Sequence, residues 1–148
     1  MADCNQVTVL REIASIQSMQ REDALSRLQV AVQSRDKALA EARAAVDVAA
    51  GALDDWSQFI QAPFSLAYQR DLAARALTAG QEADRATKSG TAASDLSDTR
   101  ERSWQQADAR TRAGEIHLRD SLRRDRRKGD ERRDVVLADR ITWVWFGR

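Results

Sequence analysis

The chain has 148 residues, a formal net charge of +1 and one cysteine, which excludes an internal disulfide and a zinc site built from cysteines. Its 26 alanines supply much of the 43% hydrophobic fraction, so the composition argues against a thick globular core and favours long helices. There is no apolar run of about 18 residues and no signal-like start. We therefore expect a cytoplasmic protein without membrane insertion.

The first predicted element is a helix over about residues 6–60 with a seven-residue apolar repeat. Large aliphatic side chains recur at every seventh position in this helix, and a second set fills the alternating positions of the repeat. This spacing predicts a coiled-coil seam, with a shift of register near residues 18–21. The first set is Leu25, Val32, Leu39, Val46, Leu53 and Ile60, and the second is Leu28, Arg35, Ala42, Ala49 and Trp56.

The second predicted helix covers about residues 66–140 and follows a turn at about 61–65. Pro63 is the only proline and ends the first pattern, so the second helix starts at Pro63 or Ser65. A glycine-containing stretch at 88–91 is an alternative place for the turn. The seam of the second helix consists of small residues: Leu72, Ala79, Ala86 and Ala93 in one set, and Ala76, Ala83 and Gly90 in the other.

Together these repeats predict an all-α protein, a single domain over residues 1–148. It is a long antiparallel two-helix coiled-coil hairpin whose C-terminal helix is longer and overhangs. Folding at the proline predicts facing residues whose numbers sum to about 125, so that Val46 faces Ala79 and Leu39 faces Ala86. Large side chains then meet small ones, which allows close packing.

The C-terminal part of the chain carries the candidate partner-binding residues. Residues 101–148 contain 13 basic and 9 acidic groups, and an aromatic tail is predicted over 141–148. That tail either folds back on the hairpin or anchors a partner. Four acids interleave the basic segment, which favours protein docking over nucleic acid. The candidates are Arg119, Arg123, Arg124, Arg126, Arg127, Arg132 and Arg133, and the aromatic Trp143, Trp145 and Phe146.

No residue pattern predicts catalysis, a cofactor or a metal site. His117 is the only histidine, and Cys4 has no histidine near it in the sequence. Asp54 and Asp55 are adjacent carboxylates, but a two-helix hairpin offers no closed pocket to change their chemistry. No glycine-rich phosphate loop occurs. We therefore expect the protein not to be an enzyme.

In outline the chain resembles the FliJ/YscO family, the central stalk proteins of flagellar and virulence-type (type III) secretion ATPases, including the plant-associated Hrp systems. The resemblance rests on the hairpin pattern and on several unspecific segments. These are Trp-Ser-Gln-Phe-Ile at 56–60, Tyr68 and Leu72, Ser-Trp-Gln-Gln-Ala at 103–107, and the arginine-rich to acidic passage at 123–139.

This resemblance implies a function in protein export. The joined N- and C-terminal end is expected to bind the centre of the hexameric secretion ATPase, and other surfaces to reach the export gate protein and secretion chaperones. It also implies a cytoplasmic protein peripherally associated with an inner-membrane export apparatus. The family has no catalytic motif to carry over, and the aromatic tail departs from its usual polar C-terminus.

Two alternatives remain open from the residues alone. A nucleic-acid-binding coiled coil would use the basic segment 119–133 on phosphates, and its affinity would fall steeply with salt. A generic dimeric coiled-coil scaffold would form intermolecular helix pairs, and its dimerisation would depend on concentration.

Overall fold

The computed structural model describes residues 2–60 and 65–146, with side chains at 6–60 and 65–141 and at Trp143 and Trp145. Two helices occupy this part of the chain, α1 at Ala2–Phe59 and α2 at Leu66–Phe146. They pack together and the described residues contain no strand, which confirms the predicted all-α hairpin with a longer second helix. No described helix combines the length and the apolar character that crossing a membrane requires.

The start of α2 is capped by Ser65, one of the two predicted starting points. Its hydroxyl oxygen accepts a hydrogen bond from the Tyr68 amide at 3.4 Å. Its carbonyl oxygen accepts bonds from the amides of Tyr68 and Gln69 at 3.0 and 3.2 Å. This is the geometry of a helix N-cap. The rings of Phe59 and Tyr68 pack edge to face at 6.1 Å, while Pro63 lies outside the described residues.

The buried row of α1 consists mainly of alanines, so the first set of the predicted seam is wrong at most of its positions. Ala31 and Ala42 are 6% and 8% exposed, whereas Leu25 and Leu53 are 37% and 55% exposed. Small side chains let the helix axes approach closely, and this close approach leaves the larger neighbours at the edge of the seam.

A single row of buried and half-buried positions follows steps of three and four along the whole of α1, so the predicted shift of register near residues 18–21 is also wrong. The row includes every member of the second predicted set. It consists of Val7, Leu10, Ala14, Gln17, Arg21, Ala24, Leu28, Ala31, Arg35, Ala38, Ala42, Ala45, Ala49, Ala52, Trp56 and Phe59, and the half-buried Ser18, Val32 and Leu39 lie beside it.

The small-residue seam predicted for α2 is confirmed. Leu72, Ala79 and Ala83 are at most 9% exposed. The stretch 88–91 is helical, so the alternative turn is wrong. Gly90 is buried there, and a Cβ atom at this position would lie 3.3 Å from Leu39 Cδ2. This glycine therefore serves the close approach of the helices, not a turn.

The chain divides into two compact units. One contains α1 up to Asp23 with α2 from Gln105 onward, and the other is Ala24–Trp104. Facing residues have numbers that sum to about 128–132 in each unit, because Gly90 lies against Ala38 and Ala42, and Gln17 lies against Thr111 and Gly114. The predicted sum of about 125 is therefore wrong, because the row of alanines, not the first predicted set, faces α2.

Candidate partner-binding end

In the unit that holds the chain ends, a buried polar cluster joins the two helices. Thr111 is 2% exposed, and its hydroxyl lies 3.1 Å from the Gln17 carbonyl oxygen and 2.9 Å from that of Ala107. A Cβ atom on Gly114 would collide with Gln17 Oε1, which is buried without a hydrogen-bond partner. Gly114 therefore provides the space that the Gln17 amide occupies.

An acidic side chain beside this cluster links both helices through arginines. Asp108 on α2 has only 14% of its side chain exposed, and its two oxygens lie 3.6 Å from Arg21 Nη1 and 2.7 Å from Arg112 Nη2. The first contact crosses to α1 and the second lies along α2. Because Asp108 is largely buried, its pair with Arg21 is less screened by solvent than a pair between exposed side chains, and it helps to hold the two helices together at this level.

Beyond this cluster α2 continues past the start of α1. At the observed register, Ala2 at the start of α1 is level with about residues 126–130 of α2, and α2 extends to Phe146. The burial pattern agrees, because Gly129 is the last half-buried position and residues 130–141 are all exposed. The predicted overhang is therefore present. It is helical through 146, so the tail predicted over 141–148 is not a separate segment up to that point.

The overhang carries large apolar side chains in every direction around the helix. Trp143 and Trp145 are 81% and 80% exposed, so neither folds back on the hairpin, and the side chain of Phe146 lies outside the described residues. The other exposed members, at 55–60%, are Val135, Val136, Leu137 and Ile141. Charged residues such as Arg132, Asp134 and Arg140 lie among these apolar side chains, so the overhang is a mixed surface, and its exposed aromatic and aliphatic side chains mark a contact site for other protein.

All seven predicted arginines are exposed on α2, but they do not form one patch. Arg119, Arg126 and Arg133 are spaced by seven residues and share one face, while Arg124 and Arg127 point elsewhere. The same spacing adds Arg140, which the density of charge alone does not single out. We call Arg119, Arg126, Arg133 and Arg140 the arginine row.

A second exposed surface lies in the unit Ala24–Trp104. Val46, Leu53 and Ile60 of the predicted seam are 48–55% exposed along α1. Gly80 on α2 has no atom within 4 Å of a Cβ built on it, so it is open on that side. An apolar row beside open space is the kind of surface that further helices cover.

The described residues contain no group of three His, Cys, Asp or Glu side chains that could hold a metal ion. His117 is exposed, and a carboxylate oxygen of Asp54 accepts a hydrogen bond from Gln58 at 2.9 Å on the exposed surface of α1. Comparison of the chain with protein-family models, with curated proteins and with solved structures found no match.

Proposed function

We propose that the protein is a cytoplasmic stalk or adaptor of a type III secretion export apparatus, and that the end of α2 binds the centre of the hexameric secretion ATPase. The observation that supports this is the overhang, where apolar side chains point in all directions and Trp143 and Trp145 are about four-fifths exposed. A flat partner surface would cover one side of such a helix. A ring would enclose every side and so cover the exposed apolar side chains on all of them.

The basic residues fit the same role. Arg119 and Arg126 lie just before the overhang and Arg133 lies on it. All three are exposed, so they are placed to meet acidic groups on an ATPase subunit. Contacts with the export gate protein and with secretion chaperones, and a peripheral position at the inner membrane, follow from the family resemblance. Binding of the overhang within the ring would assemble or stimulate the ATPase.

The test is binding to the hexameric secretion ATPase of the same organism, together with the rate of ATP hydrolysis. We expect the full chain to bind and to raise hydrolysis, and we expect the double variant Trp143→Ala, Trp145→Ala to bind at least tenfold more weakly. Leu66→Ala with Leu77→Ala is the matched control, because these residues are 63% and 65% exposed on α2 away from the overhang. Absence of both binding and stimulation by the unmodified chain would refute the proposal.

A second candidate function is a coiled-coil scaffold that associates through the exposed row of α1. What favours it is the exposure of Val46, Leu53 and Ile60, which the hairpin itself does not bury. Sedimentation at low and high protein concentration separates the two functions. A dimer that forms with rising concentration and is lost in Val46→Gln, Leu53→Gln would support the scaffold, and an unchanging monomer would support the stalk.

A further inference from the structure

The arginine row has a regular geometry. Its four members lie seven residues apart, a rise of about 10.5 Å each, and drift by only about 20° per repeat, so they stay on one face of α2. All four are exposed. No salt bridge holds any of the four within the part of the chain that the structure describes. Arg112 lies one repeat earlier but already pairs with Asp108 at 2.7 Å.

Apolar side chains flank this row. Ile116 and Leu137 lie on one side of it and Val136 on the other, given the 100° turn per residue, and these three are 55–60% exposed. A shallow depression is lined by Val136, Leu137, Arg132 and Arg133. The face thus combines apolar contact area with cations at a fixed interval, as the facing surfaces of paired helices do.

The spacing identifies the partner that fits. A second helix packed along α2 presents equivalent side chains at the same seven-residue interval, so one carboxylate per repeat can meet each arginine of the row. Nucleic-acid phosphates fit this face less well, because Glu115 and Asp130 beside the row would repel them. A protein helix can instead offer these two acids a basic residue.

We propose that the arginine row and its apolar flanks form a docking face for a helix of another protein that carries a carboxylate at every seventh position. This inference rests on the row itself and does not require the proposed stalk function. The partner is recognised by the spacing of its carboxylates, so their positions along the partner helix matter as well as their number.

The probe is a fluorescein-labelled helical peptide with four glutamates spaced by seven residues and leucines beside them. A control peptide has the same composition with the glutamates spaced by five residues. Fluorescence anisotropy with the full chain measures both affinities. We expect the seven-residue peptide to bind at least tenfold more tightly, and equal affinities would overturn the proposal.

Matched charge reversals test the face on the protein side. Arg119→Glu, Arg126→Glu, Arg133→Glu should weaken binding of the seven-residue peptide at least tenfold. The control triple Arg110→Glu, Arg124→Glu, Arg127→Glu changes the net charge equally at exposed positions on other faces of α2 and should weaken binding less than threefold. Equal losses, or a preference of the chain for heparin over the peptide, would show a general polyanion surface and refute the docking face. Circular dichroism of both triple variants serves as the folding control. We expect both to remain helical, because the substituted positions are exposed.

Discussion

The hydroxyl of Thr111 on α2 lies 3.1 Å from the carbonyl oxygen of Gln17 on α1, in a position only 2% exposed. This contact solves a problem that the alanine seam creates. Rows of alanine repeat every seven residues, so they pack almost equally well after a slip of one repeat. A buried polar contact made at a single level penalises such slips, because the displaced groups lose their partners.

Replacing Thr111 by valine keeps the shape and removes the hydroxyl. We expect Thr111→Val to lower the free energy of unfolding by about 1 kcal/mol, since the buried bond to α1 is lost. Thr99→Val is the control, because the Thr99 hydroxyl bonds only to Asp95 on its own helix and is exposed. Its change should stay within about 0.5 kcal/mol. Urea denaturation measures both, and equal losses would show that the cross-helix bond contributes nothing.

The register itself can be tested by an engineered disulfide. A Cβ atom on Gly90 would lie 3.7 Å from Ala42 Cβ, within the range of about 3.5–4.5 Å that a disulfide needs. We expect Ala42→Cys, Gly90→Cys to crosslink within one molecule in a Cys4→Ser background. The pair Leu39→Cys, Ala86→Cys belongs to the register with a sum of 125 and should crosslink far less. Mass spectrometry with and without reductant measures the crosslinked fraction of each pair. A larger crosslinked fraction for the 39/86 pair than for the 42/90 pair would contradict the observed register.

Most of the fold can be predicted from the sequence, because seven-residue repeats, scarce glycine and one central proline each favour long helices joined by one turn. The residues at the centre of the buried row of α1 cannot be predicted in this way. Leucine is more hydrophobic than alanine, so periodicity of hydrophobicity selects Leu53, which is 55% exposed, over Ala31, which is 6% exposed. Side-chain size controls how closely two helices approach, and sequence periodicity alone does not show which row the partner helix meets.

The candidate site can be predicted from the sequence only in part. Local density of charge identifies Arg119 and Arg133, and aromatic composition identifies Trp143 and Trp145. The four arginines of the row all lie within the predicted second helix, at about 66–140, but local density of charge does not single out Arg140 or show that the four share a face. The structure adds that all four are exposed and that neither tryptophan folds back on the hairpin.

The seam assignment predicts which leucines stabilise the hairpin. Leu72 is 8% exposed and Leu53 is 55% exposed. We expect Leu72→Ala to cost about 2–4 kcal/mol through lost burial and a residual cavity, and Leu53→Ala to cost less than about 1 kcal/mol. Thermal or urea unfolding at low protein concentration, where association does not contribute, measures the difference. A larger loss of stability in Leu53→Ala than in Leu72→Ala would show that Leu53 lies at the centre of the seam.

Two glycines of α2 should respond differently to alanine. A Cβ atom on Gly80 has no atom within 4 Å, whereas one on Gly90 would lie 3.3 Å from Leu39 Cδ2. Gly80→Ala should therefore raise the free energy of unfolding by about 1 kcal/mol through helix propensity. The gain at Gly90→Ala should be smaller because Leu39 must shift. Gly51→Ala on α1, also in open space, serves as a second positive control, and a larger gain at Gly90 would contradict the close approach at that point.

The N-cap of α2 offers a test of how the second helix begins. The Ser65 hydroxyl oxygen accepts a bond from the Tyr68 amide at 3.4 Å, and the Ser65 carbonyl oxygen accepts one from the same amide at 3.0 Å. We expect Ser65→Ala to lower the free energy of unfolding by about 1 kcal/mol and Ser65→Asp to retain or exceed the original value, since a carboxylate also favours the positive end of the helix dipole. Ser89→Ala, an exposed change inside α2, should be neutral or slightly stabilising. If alanine at 65 were as neutral as alanine at 89, the first turn of α2 would have to be held by packing such as the Phe59–Tyr68 contact, not by the cap.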